Sequence, residues 1–207
     1  LYWVYISLYY YGSAPLPFAI LANVLLVLFM SLYGLAVGWL LRRCSAPDGW
    51  RRVLLIPPAW VAAELLRAYV LTGFPWLAVG YSALHTPLDG IAPLGGVFVL
   101  SLLLMFIASL LARATRSWRV AAAAVALYAA ASASSLFSFV APTGAPFSVA
   151  LVQGNIEQST KFAPGMMERH LQDYIAAAID REESVVVLPE TAFAFMEEQL
   201  RTDLNQL

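Results

Sequence analysis

The 207-residue chain is 61% hydrophobic and 12% charged, with a mean hydropathy of +0.73. Soluble domains carry about 25% charged residues, so this composition argues against an ordinary water-soluble domain and for a polytopic membrane protein. The net charge of −1 conceals two regimes: residues 1–146 hold eight arginines against Asp48, Glu64 and Asp89, whereas residues 147–207 hold four basic and ten acidic side chains. That asymmetry predicts a helical membrane domain over 1–146 followed by a water-facing domain over 147–207.

In chain order, "LYWVYISLYYYGSAPLPF" is rich in Tyr and Trp and broken by Gly12, Pro15 and Pro17. It reads as a helix end and loop at a membrane interface. No basic segment precedes it, so no signal peptide is read, and an opening on Leu1 within an apolar run is what a fragment would show. A membrane-crossing helix needs about 20 apolar residues. Spans of that kind are predicted over 18–41, 53–71 (with Pro57 and Pro58 near its start), 91–112 and 120–140. The intervening 72–90 stretch, "TGFPWLAVGYSALHTPLDG", carries too many Gly and Pro residues to be helical throughout. Seven of the eight early arginines fall in the loops 42–52 and 113–119. The positive-inside rule makes those loops cytoplasmic and puts 72–90, with everything after about 141, on the outer side.

After the turn-rich "APTGAP" the pattern changes. "FSVALVQGNI" (147–156) and "SVVVLPE" (184–190) read as strands, and 164–183 as an amphipathic helix with Pro164 in its first turn and Met167, Leu171, Tyr174, Ile175 and Ala178 recurring at helical spacing. Continuous apolar strands joined by a helix imply a parallel β-α-β unit covered on both faces. About 60 residues are too few to close the core of such a domain. Functional side chains of open α/β sheets collect at the carboxyl ends of strands, and Glu190 stands there, directly after Pro189, which ends the strand. Shielding by an apolar sheet would make this carboxylate a better proton acceptor. Alternatively it caps a helix formed by "TAFAFMEEQL".

Within the second span, Glu64 and Arg67 lie three residues apart on one face. They are expected to pair, or to meet a lipid headgroup. The single Cys44 follows two arginines and rules out an internal disulfide framework. His85 and His170 are isolated, and neither a metal, a cofactor nor a nucleic-acid partner is expected.

"ALVQGNIEQSTKF" followed by "VVVLPETAF" resembles the opening of a nitrilase-superfamily domain, an αββα sandwich when complete. "AELLRAYVLTGFPWLAVGYS" and "GIAPLGGVFVLSLLLM" are similar to the apolipoprotein N-acyltransferase family, and the resemblance covers nearly the whole chain. It implies a multi-pass protein of the bacterial inner membrane with its catalytic domain on the periplasmic side. It implies a phospholipid acyl donor, an apolipoprotein diacylglyceryl-cysteine acceptor, and a Glu-Lys-Cys triad in which Glu190 is the base. The family's lysine and cysteine come well after this glutamate, so residues 1–207 alone are expected not to catalyse the reaction. Lys161 precedes Glu190 and is not assigned the lysine's role, and Cys44 would lie across the membrane from it. Phe162 stands where the family usually has tryptophan, either touching substrate or filling core. Trp76 would lie near the lipid entrance or anchor the aromatic belt. A membrane-anchored amidase and a non-enzymatic polytopic protein are the alternatives.

Overall fold

In the computed structural model, a short helix α1 (Tyr2–Ile6) and a π-helical turn at Ser7–Tyr11 lead into α2 (Leu16–Cys44). The helices α3 (Trp50–Tyr69), α4 (Ala92–Ala114) and α5 (Trp118–Ser132) follow. The structure describes residues 1–46, 49–157, 160, 161, 163, 165–179, 181–190 and 192. Among these, the helical segments Leu16–Cys44, Trp50–Thr72, Pro87–Ala114 and Trp118–Leu136 are long and apolar enough to cross a membrane. The chain divides into two units: Pro17–Pro142 with the first two residues, and Thr143–Leu207 with Trp3–Leu16.

The 29 residues of α2 rise about 43 Å, more than the roughly 30 Å of bilayer hydrocarbon. Only Ala19, Val37 and Leu41 are buried on it, while Leu21, Leu25, Leu28, Leu32 and Leu35 are exposed. A helix that is apolar all round belongs in lipid or against further apolar protein, not in water.

Two clusters fix how the remaining helices run. Val53 at the start of α3, Leu110 near the end of α4 and Val120 at the start of α5 pack together with Ala124. Leu100 of α4 packs with Ala131 at the end of α5 and with Ala83 and Leu88 of the connecting loop. The three helices therefore alternate in direction around α4, and both arginine-rich loops lie at one end of the bundle.

The fourth span differs from its expected extent. Its α-helix stops at Ser132 and tightens into a 3-10 turn, Ala133–Leu136. The serines explain this: the Ser134 hydroxyl donates to the Ala131 carbonyl (2.6 Å) and that of Ser135 to Ser132 (2.8 Å), and such local bonds compete with the helical ladder.

Pro57 sits within α3 and is buried. Having no N–H, it leaves the carbonyl four residues back, that of Val53, without its helical donor. The Ser109 hydroxyl of α4 supplies one at 3.2 Å, sharing its proton with the Phe106 carbonyl at 2.8 Å. Helix breakers persist in membranes where a neighbouring side chain restores the lost bond in this way.

The 72–90 segment is folded as short 3-10 turns at Val70–Thr72, Val79–Ala83 and Pro87–Ile91. Gly80 explains its seating on α4: a Cβ there would come within 2.0 Å of the Val97 carbonyl, and its N–H donates to Ser101 Oγ at 2.8 Å. The opening turn of α4 is itself interrupted at Gly96, whose φ of 65° and ψ of −153° belong to a region open essentially to glycine.

In the second unit, β1 (Val149–Leu151) pairs in parallel with β2 (Val185–Val187), with Ala150 opposite Val186. The helix α6 (Met166–Ile179) makes the crossover and buries Leu171 and Tyr174. Its apolar face follows the spacing read from the sequence. The architecture is thus a polytopic helical membrane protein followed by the start of a small α/β sheet.

Candidate active site

Parallel strands bring their carboxyl ends to one edge, so the segment after β1 meets the segment after β2. Gln153, Gly154, Asn155, Lys161, Tyr174 and Glu190 line a cleft of about 160 Å3 there. Two backbone features shape it. The buried Tyr174 ring packs on Gly154 so closely that a Cβ would sit 2.3 Å from the phenol oxygen, which requires glycine. Asn155 adopts φ of 47°, a left-handed conformation that asparagine tolerates.

Glu190 stands in a turn closed by Ala192 N–H donating to the Pro189 carbonyl at 3.1 Å. Its side chain is exposed, so the shielding expected at the sheet rim is not provided by the described residues. Two three-residue strands, with β2 half-exposed along its length, present too little apolar surface to cover it. The alternative, a cap on the following helix, concerns residues 193–200, which lie outside the described residues, as do Phe162 and Pro164.

Lys161, which the sequence reading leaves without a role, lies at this edge. Its Nζ is 3.5 Å from the backbone carbonyl of Glu190, a long, exposed contact that puts a cation beside the carboxylate's own loop. Tyr174 reads from its helical spacing only as core. What both share in the sequence is position: each follows β1, and a β-α-β crossover returns the chain to the strand ends.

Trp76 belongs to the other unit. It is 53% exposed and meets Phe74 edge to face with ring centroids 5.3 Å apart.

Glu64 is 3% exposed, but the expected pair with Arg67 is not formed. Its Oε1 instead accepts from Trp60 Nε1 at 2.9 Å and from the Val79 N–H at 2.8 Å. Oε2, and Nε and Nη2 of Arg67, have no hydrogen-bond partner among the described residues. The reason is geometric: a neighbouring backbone donor and the indole one helical turn back reach the carboxylate directly. Glu64 thereby fastens the 72–90 loop to α3. A cavity of about 160 Å3, lined by Ser31 and Tyr33 of α2 and by Trp60, Glu64 and Arg67 of α3, adjoins it. No group of three or more His, Cys, Asp or Glu side chains arranged for a metal occurs among the described residues.

Fold and site together define a membrane-spanning helical protein that carries the opening β-α-β unit of a parallel α/β domain, with a carboxylate at the strand end. Comparison with known proteins narrows that class. Residues 1–110 match the family model described as "Apolipoprotein N-acyltransferase N-terminal domain", and the chain belongs to that family. It is 41% identical over 209 residues to the apolipoprotein N-acyltransferase of Azotobacter vinelandii, covering 95% of this chain and 40% of that protein. It is 35% identical over 210 residues to that of Vibrio cholerae (99% and 42%) and 38% identical over 226 residues to that of Bordetella bronchiseptica (97% and 41%). The chain thus spans about two fifths of the length of these relatives.

Proposed function

We propose that the chain contributes the membrane domain and the catalytic base of an apolipoprotein N-acyltransferase. The observation that carries this is the likeness to such enzymes along nearly its whole length. In this reading the domains divide near residue 146, the arginine-rich loops face the cytoplasm, and the strand-end cleft faces the periplasm of the inner membrane.

Glu190 takes the proton of a cysteine thiol supplied by the remainder of the catalytic domain. The thiolate attacks an ester carbonyl of a phospholipid, forming an S–C bond and breaking the C–O bond. The proton passes from Glu190 to the departing lysophospholipid alkoxide. The amine of a diacylglyceryl-cysteine then attacks the thioester, an amide forms, and the thiol is regenerated. Trp76 and Phe162 contact the acyl donor. The cleft beside Glu190, lined also by Gln153, Asn155 and Lys161, supports this strand edge as the place of the reacting ester.

The test replaces the aligned segment of the Azotobacter vinelandii relative with these 207 residues and follows transfer of labelled acyl chain to a diacylglyceryl-cysteine peptide. The chimera is expected to be active, and Glu190→Gln to lower its rate by roughly 10²-fold or more, the scale of a lost general base. Equal activity of the Gln variant would refute the assignment. Residues 1–207 contain Cys44 as their only cysteine; acyl thioester formation on them alone would contradict a nucleophile supplied from beyond them.

A further inference from the structure

The cavity of about 160 Å3 between α2 and α3 has both Glu64 and Arg67 in its wall. Glu64 is almost fully buried, and the Val79 N–H and the Trp60 indole occupy only its Oε1. Oε2 is buried without a hydrogen-bond partner among the described residues, and so are Nε and Nη2 of Arg67. Bare polar groups are costly in an apolar interior. The cavity therefore suits an occupant that donates to a carboxylate oxygen and accepts from a guanidinium edge. We propose that it binds a lysophospholipid, whose phosphate meets Arg67 and whose free glycerol hydroxyl donates to Glu64 Oε2.

Chemistry, depth and access single out this ligand. Nε and Nη2 form one edge of the guanidinium, and such an edge donates two parallel hydrogen bonds to a phosphate. Glu64 precedes Arg67 by three residues, about 4.5 Å along the helix axis. Arg67 is the nearer of the two to the end of the span, which closes at Thr72. The anion site thus lies toward the membrane boundary, and the free acceptor lies on its hydrocarbon side. In a phospholipid the headgroup substituent is on the water side of the phosphate and the glycerol on the hydrocarbon side. A diacyl lipid presents only ester acceptors at that depth. Loss of one acyl chain leaves a glycerol hydroxyl, which can donate there. Ser31 and Gly34 form exposed parts of the α2 wall, and a Cβ at Gly34 would meet nothing within 4 Å. A single acyl chain therefore has room to lie along α2. The 72–90 loop holds both charged residues in place, through the Val79 N–H on Glu64 and the Phe74 N–H on the Arg67 carbonyl at 2.7 Å, so the site is preorganised. Such a lipid is what the proposed acyl transfer releases. Its source rests on that reading, whereas binding is measured without turnover and stands or falls separately.

The chain, purified in a neutral detergent, is incubated with lipids that share one headgroup: palmitoyl lysophosphatidylcholine, dipalmitoyl phosphatidylcholine and hexadecylphosphocholine. The last has the phosphate and one chain but no glycerol. Retained lipid is read by native mass spectrometry. Lysophosphatidylcholine is expected to be retained about tenfold over each of the others, the scale of one hydrogen bond to a charged group. The variant R67Q is expected to lower that retention about tenfold. R42Q, which loses the same charge outside the cavity, is expected to lower it by less than about twofold. E64Q keeps Oε1 for Trp60 and Val79 but loses the charged acceptor, and its preference over hexadecylphosphocholine is expected to fall to about threefold or less. Lysophosphatidylcholine held no better than either other lipid, or no lipid held at all, as in a cavity that takes only water, would overturn the ligand. An unchanged preference in E64Q would overturn the hydroxyl contact, and equal losses in R67Q and R42Q would overturn the site. Unfolding midpoints check the variants. If R67Q unfolds early, R67K is read in its place, because it keeps the charge without the fork. A drop of about threefold or more then sustains the site, and retention equal to the parent's overturns it.

Discussion

Glu64 shows how a charged residue earns a place inside a membrane helix. At i,i+3 from Arg67 the sequence invites an ion pair, but helical spacing names only neighbours on the same helix. The winning donor, the Val79 N–H, lies 15 residues on, in a loop whose path the sequence does not disclose. An unsatisfied N–H there would cost about 1–3 kcal/mol, so this oxygen is one of the loop's fastenings, beside the Phe74 N–H on the Arg67 carbonyl and the Gly80 N–H on Ser101. Glu64→Gln keeps an acceptor for both donors and is expected to unfold near the parent midpoint in detergent. Glu64→Leu removes it and is expected to lose about 1–3 kcal/mol. If the two variants unfold together, the tether is not what stabilises the loop. Glu190 is legible for a different reason: Pro189 and three valines mark a strand end without any tertiary knowledge. Lys161 is not, because nothing local distinguishes a residue that the crossover brings back to the edge from one that leaves it.

Among the elements, the membrane helices are the most legible, since long uncharged runs have no other solvent than lipid or protein interior. Their irregularities are less so. Two prolines in α3 announce a missing donor, yet which helix repairs it depends on packing, and Ser109 in the sequence is one serine among many. Ser109→Ala leaves the Val53 carbonyl bare between α3 and α4. Interhelical hydrogen bonds in membranes average about 0.6 kcal/mol, so the expected loss is of that order, up to roughly 1.5 kcal/mol. Ser31→Ala serves as the comparison: the Ser31 hydroxyl is exposed and bonds only within its own helix, to the Leu28 carbonyl. Thermal unfolding in detergent that lowers the two midpoints equally would remove the repair from consideration. The interruption at Gly96 likewise is invisible as a break, because "LGG" at the start of an apolar run is compatible with an intact helix.

At the scale of the molecule, the sequence supports a topology because the arginines are so unevenly placed, and the packing of Val53, Leu110 and Val120 puts both basic loops at one end independently of any charge rule. Cys44 offers a direct measurement, being exposed beside Arg42 and Arg43. A membrane-impermeant maleimide is expected to label it in inverted vesicles and not in right-side-out cells. A cysteine placed at Thr143 in a Cys44→Ser background is expected to show the reverse. Labelling of both from one side would contradict the proposed orientation.

The repair of α3 by α4 also bears on how the protein is made. Along the chain, Glu64 finds Trp60 within four residues and Val79 within 15, so its carboxylate is partnered while the loop is still emerging. The Val53 carbonyl waits 56 residues for Ser109. During synthesis the Val53 carbonyl therefore has its Ser109 donor available only after most of α4 has been made. The backbone bonding of α3 is in this sense completed by a helix made later in the chain, although each is long enough to cross alone.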